Sequence, residues 1–155
     1  MKVLAIDPGA KPGFCYIYAG DIQYVTYDPA EVTPLDLDEL VIEDQFIRGH
    51  IYRAGKRTRV SAKSQITLVR TAMELFLRWP AKRKYRIGAD AWRRVLWPGA
   101  TRLSKPVVLA RLRPTLGQWV EDLPKTHQAD CLEACGIAMA WARLTPEQKE
   151  VFRAG

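Results

Sequence analysis

Lys2-Val3-Leu4-Ala5-Ile6-Asp7-Pro8-Gly9 decides the reading of this chain. An aliphatic run predicts a strand over 2–6, and it stops abruptly on a carboxylate followed by two turn formers. Outward from it, Phe-Cys-Tyr-Ile-Tyr-Ala at 14–19 predicts a second strand. Gly20-Asp21 predicts a two-residue hairpin into a third strand at 22–27, completing an antiparallel meander. The polar stretch 28–39 holds Pro29 and Pro34 and predicts a connection with at most one helical turn. Leu40-Val41-Ile42, wholly apolar, predicts a short strand buried on both faces and ending at Glu43-Asp44.

Beyond it, 48–63 is rich in Arg, Lys and Gly without periodicity, which predicts a mobile loop. Ser61 is placed to cap a helix over 62–79, where Ile66, Val69, Met73 and Leu77 recur at helical spacing until Pro80. A fifth strand is expected at 85–89, and helices at 91–97 and 107–120, the second interrupted near Pro114. After Pro124 a last helix is expected over 127–144. Four strands, a helix, a fifth strand and then three helices make an α/β fold with a mixed sheet, in one domain over 1–155.

Composition narrows the function classes. The 155 residues are 48% hydrophobic and 26% charged, ordinary for a globular chain. No window approaches the roughly 20 apolar residues of a membrane helix. The first residues meet a charge too early for a secretory signal, so the cytoplasm is the expected compartment. Cys131 and Cys135 share a helix face and Cys15 lies in a strand; without a close metal-binding doublet, all three read as small buried residues.

The net charge of +7 is unevenly spread: residues 1–47 carry −7, residues 48–113 carry +16, and residues 114–155 carry −2. A basic middle between acid-bearing ends suggests a polyanion-binding region facing a cluster of carboxylates, with nucleic acid the favoured partner.

Those carboxylates have an expected meeting point. Asp7 and Glu43 each end a strand, and ends of neighbouring strands lie about 4.7–4.9 Å apart. His127 and Asp130, three apart at the start of the last helix, share a face. Taken singly, Asp7-Pro8-Gly9 also reads as a plain turn and Asp130 as a helix cap. Glu43 is different, because an unpaired carboxylate at the end of a buried strand is costly. Gathered carboxylates repel unless a cation neutralises them, and Mg²⁺ suits hard oxygen donors while keeping positions open for water and phosphate. Two such ions about 3.5–4 Å apart stabilise both the attacking and the leaving oxygen of a phosphoryl displacement.

Ile6-Asp7-Pro8-Gly9, Ile42-Glu43-Asp44-Gln45-Phe46 and His127-Gln128-Ala129-Asp130 before an Ala-rich helix resemble the three motifs of RuvC-like Holliday junction resolvases, in order and spacing over nearly the whole chain. The resemblance implies an RNase H-like mixed five-stranded sheet, with a three-stranded antiparallel meander plus parallel strands, flanked by helices. It implies Asp7, Glu43, His127 and Asp130 as catalytic and metal-binding positions, holding two Mg²⁺ that Mn²⁺ can replace, with no organic cofactor. His127 stands either as a ligand or as the group that orients the leaving group. The resemblance further implies a homodimer that nicks opposing strands of a four-way DNA junction symmetrically, with a place in DNA recombination and repair. Where the family carries a full helix before Glu43, this chain has about a dozen residues, which fits a compact viral-type relative. Glu133 reads either as a partner behind the ligands or as an exposed helix carboxylate.

The DNA surface is expected to start in the loop after Glu43, with Arg48, Arg53, Lys56, Arg57, Arg59 and Lys63 on phosphates. Tyr52 is expected to stack on an exposed base; Phe46 reads equally as a junction wedge, the place the family gives an aromatic, or as a core aromatic. Arg93 and Arg94 extend the basic surface, Lys105 resembles a family lysine near the scissile phosphate, and Trp92 and Trp97 read as core anchors. Other readings are an RNase H-like nuclease of structured RNA, of the pre-ribosomal RNA processing type, and a non-catalytic branched-DNA-binding protein. An actin-like ATPase is disfavoured, because 7–13 lacks the Ser/Thr of such phosphate loops and the chain is short for two lobes.

Overall fold

The computed structural model describes residues 1–155 except 10, 34–35, 45–49, 54–55, 60, 101 and 155, and of 50–53, 56–59 and 62 the backbone alone. β1 (Lys2–Asp7), β2 (Gly13–Tyr18) and β3 (Asp21–Thr26) form the antiparallel meander. β4 (Leu37–Glu43) lies parallel to β1 on its other side, and β7 (Ala81–Ile87) parallel to β4, giving the order β3-β2-β1-β4-β7. Among its described residues, the connection from β3 to β4 holds one 3-10 turn, Pro29–Glu31, as Pro29 and Pro34 predict. Thr26 Oγ1 donates to Glu31 Oε2 at 2.7 Å and steadies it.

Alternation along the strands divides the core in two. Val3, Ala5, Cys15, Ile17, Val41, Tyr85 and Ile87 pack with α2 (Ala89–Leu96), α3 (Lys105–Leu116) and α4 (Lys125–Arg143). Leu4, Ile6, Phe14, Tyr16, Leu40 and Ile42 pack on the opposite face with Ala72, Leu75 and Trp79 at the end of α1 (Ala62–Arg78). Asp7 continues the parity of Val3 and Ala5, and Glu43 that of Val41, so both carboxylates face α4.

Several elements depart from the sequence reading. β4 starts at Leu37 and β7 at Ala81, earlier than expected, because consecutive charged residues, Asp38-Glu39 and Lys82-Arg83-Lys84, occupy their opening positions. Within 48–63 the backbone forms a hairpin, β5 (His50–Arg53) with β6 (Lys56–Arg59), pairing Tyr52 with Arg57 and Arg53 with Lys56. α1 is capped by Ser61, whose Oγ accepts from Ser64 N at 3.1 Å. Its apolar stripe is not the buried one: Ile66, Met73 and Leu77 are exposed, Leu77 by 67%.

α3 runs through Pro114, whose missing N–H falls near the helix end, and tightens into a 3-10 turn at Gly117–Trp119. A further short helix, α5 (Pro146–Glu150), was not foreseen, although Thr145, Pro146 and Gln148 spell a capping box. After it, Arg86 N donates to Phe152 O and Ala154 N to Lys84 O, so the terminal residues follow the free edge of β7. Among the described residues, no helix is long and apolar enough to cross a membrane.

Candidate active site

Parallel register brings the acids together. β1 and β4 pair Ala5 with Val41 and Ile6 with Ile42, and the same register carried one step sets Asp7 beside Glu43 at the carboxyl edge of the sheet. α4 approaches that edge closely because of two glycines. A Cβ on Gly13 would lie 2.4 Å from the Asp130 carbonyl oxygen, and one on Gly9 would lie 3.1 Å from Asp130 Oδ2. The Asp7-to-Gly13 turn thereby lets the first turns of α4 rest on β2, which delivers Asp130 to Asp7.

One carboxylate oxygen from each of Asp7, Asp130 and Glu133 lies within 4.8 Å of the others, the group among the described residues best suited to a cation. Asp7 is 3% exposed and Glu133 4%. Asp7 Oδ1 accepts from Gly9 N at 3.3 Å, while Asp7 Oδ2 and Glu133 Oε1 are buried without hydrogen-bond partners. Burial pushes the Asp7 carboxyl well above the usual carboxylate range, and the charge of Glu43, contact with Glu133 and the charge of Asp130 push it further. Two facing carboxylates carry no hydrogen between them, so only a shared proton or a cation reconciles Asp7 with Glu133.

Glu43 completes the constellation from β4. Its Oε2 accepts from Trp92 Nε1 at 2.8 Å. Burial raises its pKa against that hydrogen bond; Glu133 adds to the rise, and Arg93 and Lys105 oppose it. Trp92 reaches Glu43 because Gly136 on α4 leaves room for its ring: a Cβ there would meet Trp92 at 2.8 Å. Trp92 is therefore the expected core anchor and also a donor to the site, a role its apolar setting concealed.

Two cations border the acids. Lys105 Nζ, at the first turn of α3, lies 3.0 Å from Asp130 Oδ1 and 3.8 Å from Glu133 Oε2. Burial disfavours its charge, but Glu133 and Asp130 outweigh this and hold its pKa above the ordinary value. Arg93, expected on the DNA surface, is mostly buried; its Nη2 lies 3.5 Å from Glu133 Oε1 and its Nη1 donates to Leu103 O at 3.2 Å.

The remaining expected residues fall as follows. His127 stacks on Tyr27, ring centroids 4.0 Å apart, with its Nδ1 buried and without a hydrogen-bond partner. It stands on the same helix as Asp130 but outside the Asp7–Asp130–Glu133 group. Tyr52 and Arg53 are in β5, Lys56, Arg57 and Arg59 in β6, and Lys63 is exposed in the first turn of α1. Phe46 and Arg48 lie outside the described residues. Arg94 is exposed and lines a cavity of about 230 Å³ with Asp90, Arg93, Ala100, Arg102 and Leu103. Arg102 was not singled out from the sequence; no motif marks it, and its left-handed φ of 43° emerges only in the fold.

The mixed sheet in the order β3-β2-β1-β4-β7, flanked by helices, has an RNase H-like fold, and that fold is RuvC-like. The chain superposes on Thermus thermophilus RuvC, solved in complex with a Holliday junction substrate, with a TM-score of 0.52 and 21% identity over 92% of this chain and 95% of that one. A second Thermus thermophilus RuvC structure aligns with a TM-score of 0.46 and 17% identity over 94% and 98% of the two chains. No family model and no curated sequence matches the chain.

Proposed function

We propose that this protein is a metal-dependent endonuclease that resolves four-way DNA junctions by paired symmetric nicks. The observation that carries the reading is the group of buried Asp7 and Glu133 with partly exposed Asp130 beside Glu43, with Asp7 Oδ2 and Glu133 Oε1 free of hydrogen bonds, at the carboxyl edge of a RuvC-like sheet. Such a donor set fits divalent cations: hard carboxylate oxygens, excess negative charge, and two buried oxygens, Asp7 Oδ2 and Glu133 Oε1, without a hydrogen bond. Asp7, Glu43 and Asp130 would hold two Mg²⁺, with Mn²⁺ as a substitute, and His127 would be a ligand or orient the leaving oxygen. Bound there, the ions would activate water and neutralise charge building on the phosphate.

The chain's own side chains do the positioning. Trp92 fixes the Glu43 carboxylate by its indole N–H, and Gly9 N fixes one oxygen of Asp7, leaving the other turned into the site. Arg93 and Lys105 supply positive charge at the rim, where a phosphate would enter. The basic stretch 48–113 would bind the backbone of the junction arms through Arg48, Arg53, Lys56, Arg57, Arg59, Lys63 and Arg94, with Phe46 and Tyr52 meeting unstacked bases at the branch point. Symmetric cutting needs two sites, and the exposed stripe Ile66, Met73 and Leu77 on α1 favours a second copy of this chain as its cover. The chain would act in the cytoplasm.

The test offers the purified protein a four-way junction, a plain duplex and a structured RNA, with and without Mg²⁺. Paired nicks in the junction alone, and only with the metal, are the expected result. Preferential cutting of the RNA would replace the substrate, and binding of the junction without cleavage in any divalent metal would remove the enzyme. With 6–10 phosphate contacts, junction affinity falls by roughly 10³–10⁵ between 50 and 200 mM salt.

A further inference from the structure

A histidine that serves a metal site or a leaving oxygen must hold its ring in one plane. Its second nitrogen commonly does so, by a hydrogen bond to a carboxylate, a carbonyl or water. His127 lacks that support at Nδ1, which is buried without a hydrogen-bond partner. Its ring lies instead on the face of Tyr27, with centroids 4.0 Å apart and planes 20° from parallel. The χ2 torsion of histidine has broad wells and is loose when nothing restrains it. Turning the imidazole about χ2 would drive its edge into the Tyr27 ring, so the stack holds the plane.

Tyr27 is itself held on both sides. It follows β3 directly, and its side chain packs on the core that faces α4. Just before it, the Thr26 carbonyl accepts from Cys131 Sγ at 3.5 Å. Cys131 is four residues after His127 and shares its helix face, so Thr26 and Tyr27 grip successive turns of α4. Just after it, Asp28 N donates to Thr26 Oγ1 at 3.1 Å and Ala30 N to Asp28 Oδ1 at 2.9 Å.

We propose that Tyr27 is a positioning residue, whose ring face sets the plane of the His127 imidazole and so aims the nitrogen that takes part in cleavage. What His127 does in cleavage rests on the nuclease reading; the ring contact stands without it. The contact is made by the ring face rather than by the hydroxyl. Phenylalanine can therefore replace Tyr27, and an aliphatic side chain of similar bulk cannot.

Single-turnover cleavage of a four-way junction in Mg²⁺, paired with proton NMR of the metal-free protein, tests this. Tyr27→Leu is expected to slow cleavage by roughly 10- to 100-fold with junction affinity unchanged, and Tyr27→Phe to restore it. Added to His127→Ala, Tyr27→Leu should cost less than roughly threefold more, because the residue it serves is gone. The chain has two histidines, His50 and His127, so the same His127→Ala variant assigns the ring protons of His127. Stacked on an aromatic face they should lie upfield of free histidine, and move towards it in Tyr27→Leu. Should Tyr27→Leu fail to fold by circular dichroism, Tyr27→Met keeps the apolar length without the flat face and is read the same way. Wild-type cleavage in the folded variant, an equal loss with and without His127, or a slow Tyr27→Phe overturns the proposal and spares the nuclease. A wild type that cuts no junction overturns the nuclease reading and this role with it, while the His127 resonances still report whether Tyr27 holds the ring.

Discussion

Glu39 and Glu43 lie four residues apart on β4, face the same helix, and each accepts a hydrogen bond from an indole: Trp141 Nε1 at 2.7 Å for Glu39 and Trp92 Nε1 at 2.8 Å for Glu43. Their surroundings are opposite in sign. Glu39 is met by Lys149 at 3.0 Å and Arg83 at 3.4 Å. Glu43 stands beside Asp7 and Glu133; burial and then Glu133 raise its pKa against Trp92, Arg93 and Lys105, while burial, Glu43, Glu133 and Asp130 all raise that of Asp7. A carboxylate buried with its counter-ions is a structural joint, here tying α5 to the sheet. The carboxylates buried together at the other end have Arg93 and Lys105 at their border, and are where the proposed cations would sit.

The comparison can be broken most sharply at Asp7. Asp7→Asn keeps the shape and removes one charge from the crowded end; cleavage should fall on the order of 10³-fold or more while junction binding persists. Equal cleavage rates for mutant and wild type in a single-turnover assay would take Asp7 out of the chemistry. At the other end, Glu39→Ala strands Lys149 and should lower unfolding free energy in urea by about 3–5 kcal/mol, with little effect on cleavage per folded molecule. A cleavage loss without a stability loss would mean the two ends have been misassigned.

Replacing each indole sharpens the contrast. Trp92→Phe withdraws the donor that orients Glu43 and should slow cleavage by roughly 10- to 100-fold. Trp141→Phe should cost stability only. Acidity gives the smallest effect. The folded-state pKa values of Asp7 and Glu43 lie above their ordinary values of 3.8 and 4.5. Their stabilising contribution is therefore complete below those values and is lost as pH rises through the raised ones. In EDTA the urea midpoint should drop over that interval, and Mg²⁺ should flatten the slope; an identical slope with and without the metal would mean that the ions do not sit on these groups.

Much of this was legible in the chain. Aliphatic runs ending on Asp7 and Glu43 are visible as strands because each strand is buried on both faces; the close approach of α4 over Gly9 and Gly13 emerges only in the fold. Asp130 was legible from its place in a motif and from helical spacing. Glu133 was ambiguous for a physical reason: α4 is buried over most of its circumference from Cys131 to Trp141, so polarity no longer marks an exposed side. Glu39 escaped notice because it sits where β4 begins, in what looked like a polar connection, and its partner Lys149 is 110 residues away. The exposed stripe on α1 shows the converse limit, since helical periodicity identifies an apolar face without saying whether it meets the sheet.

A crystal of the protein grown with Mn²⁺ and measured for anomalous scattering reaches the central matter most directly. Peaks in contact with the carboxylates of Asp7 and Asp130, and lost in Asp7→Asn, are the predicted result. A fully occupied Mn²⁺ elsewhere, with none on these carboxylates in a protein that still cuts junctions, would contradict the account.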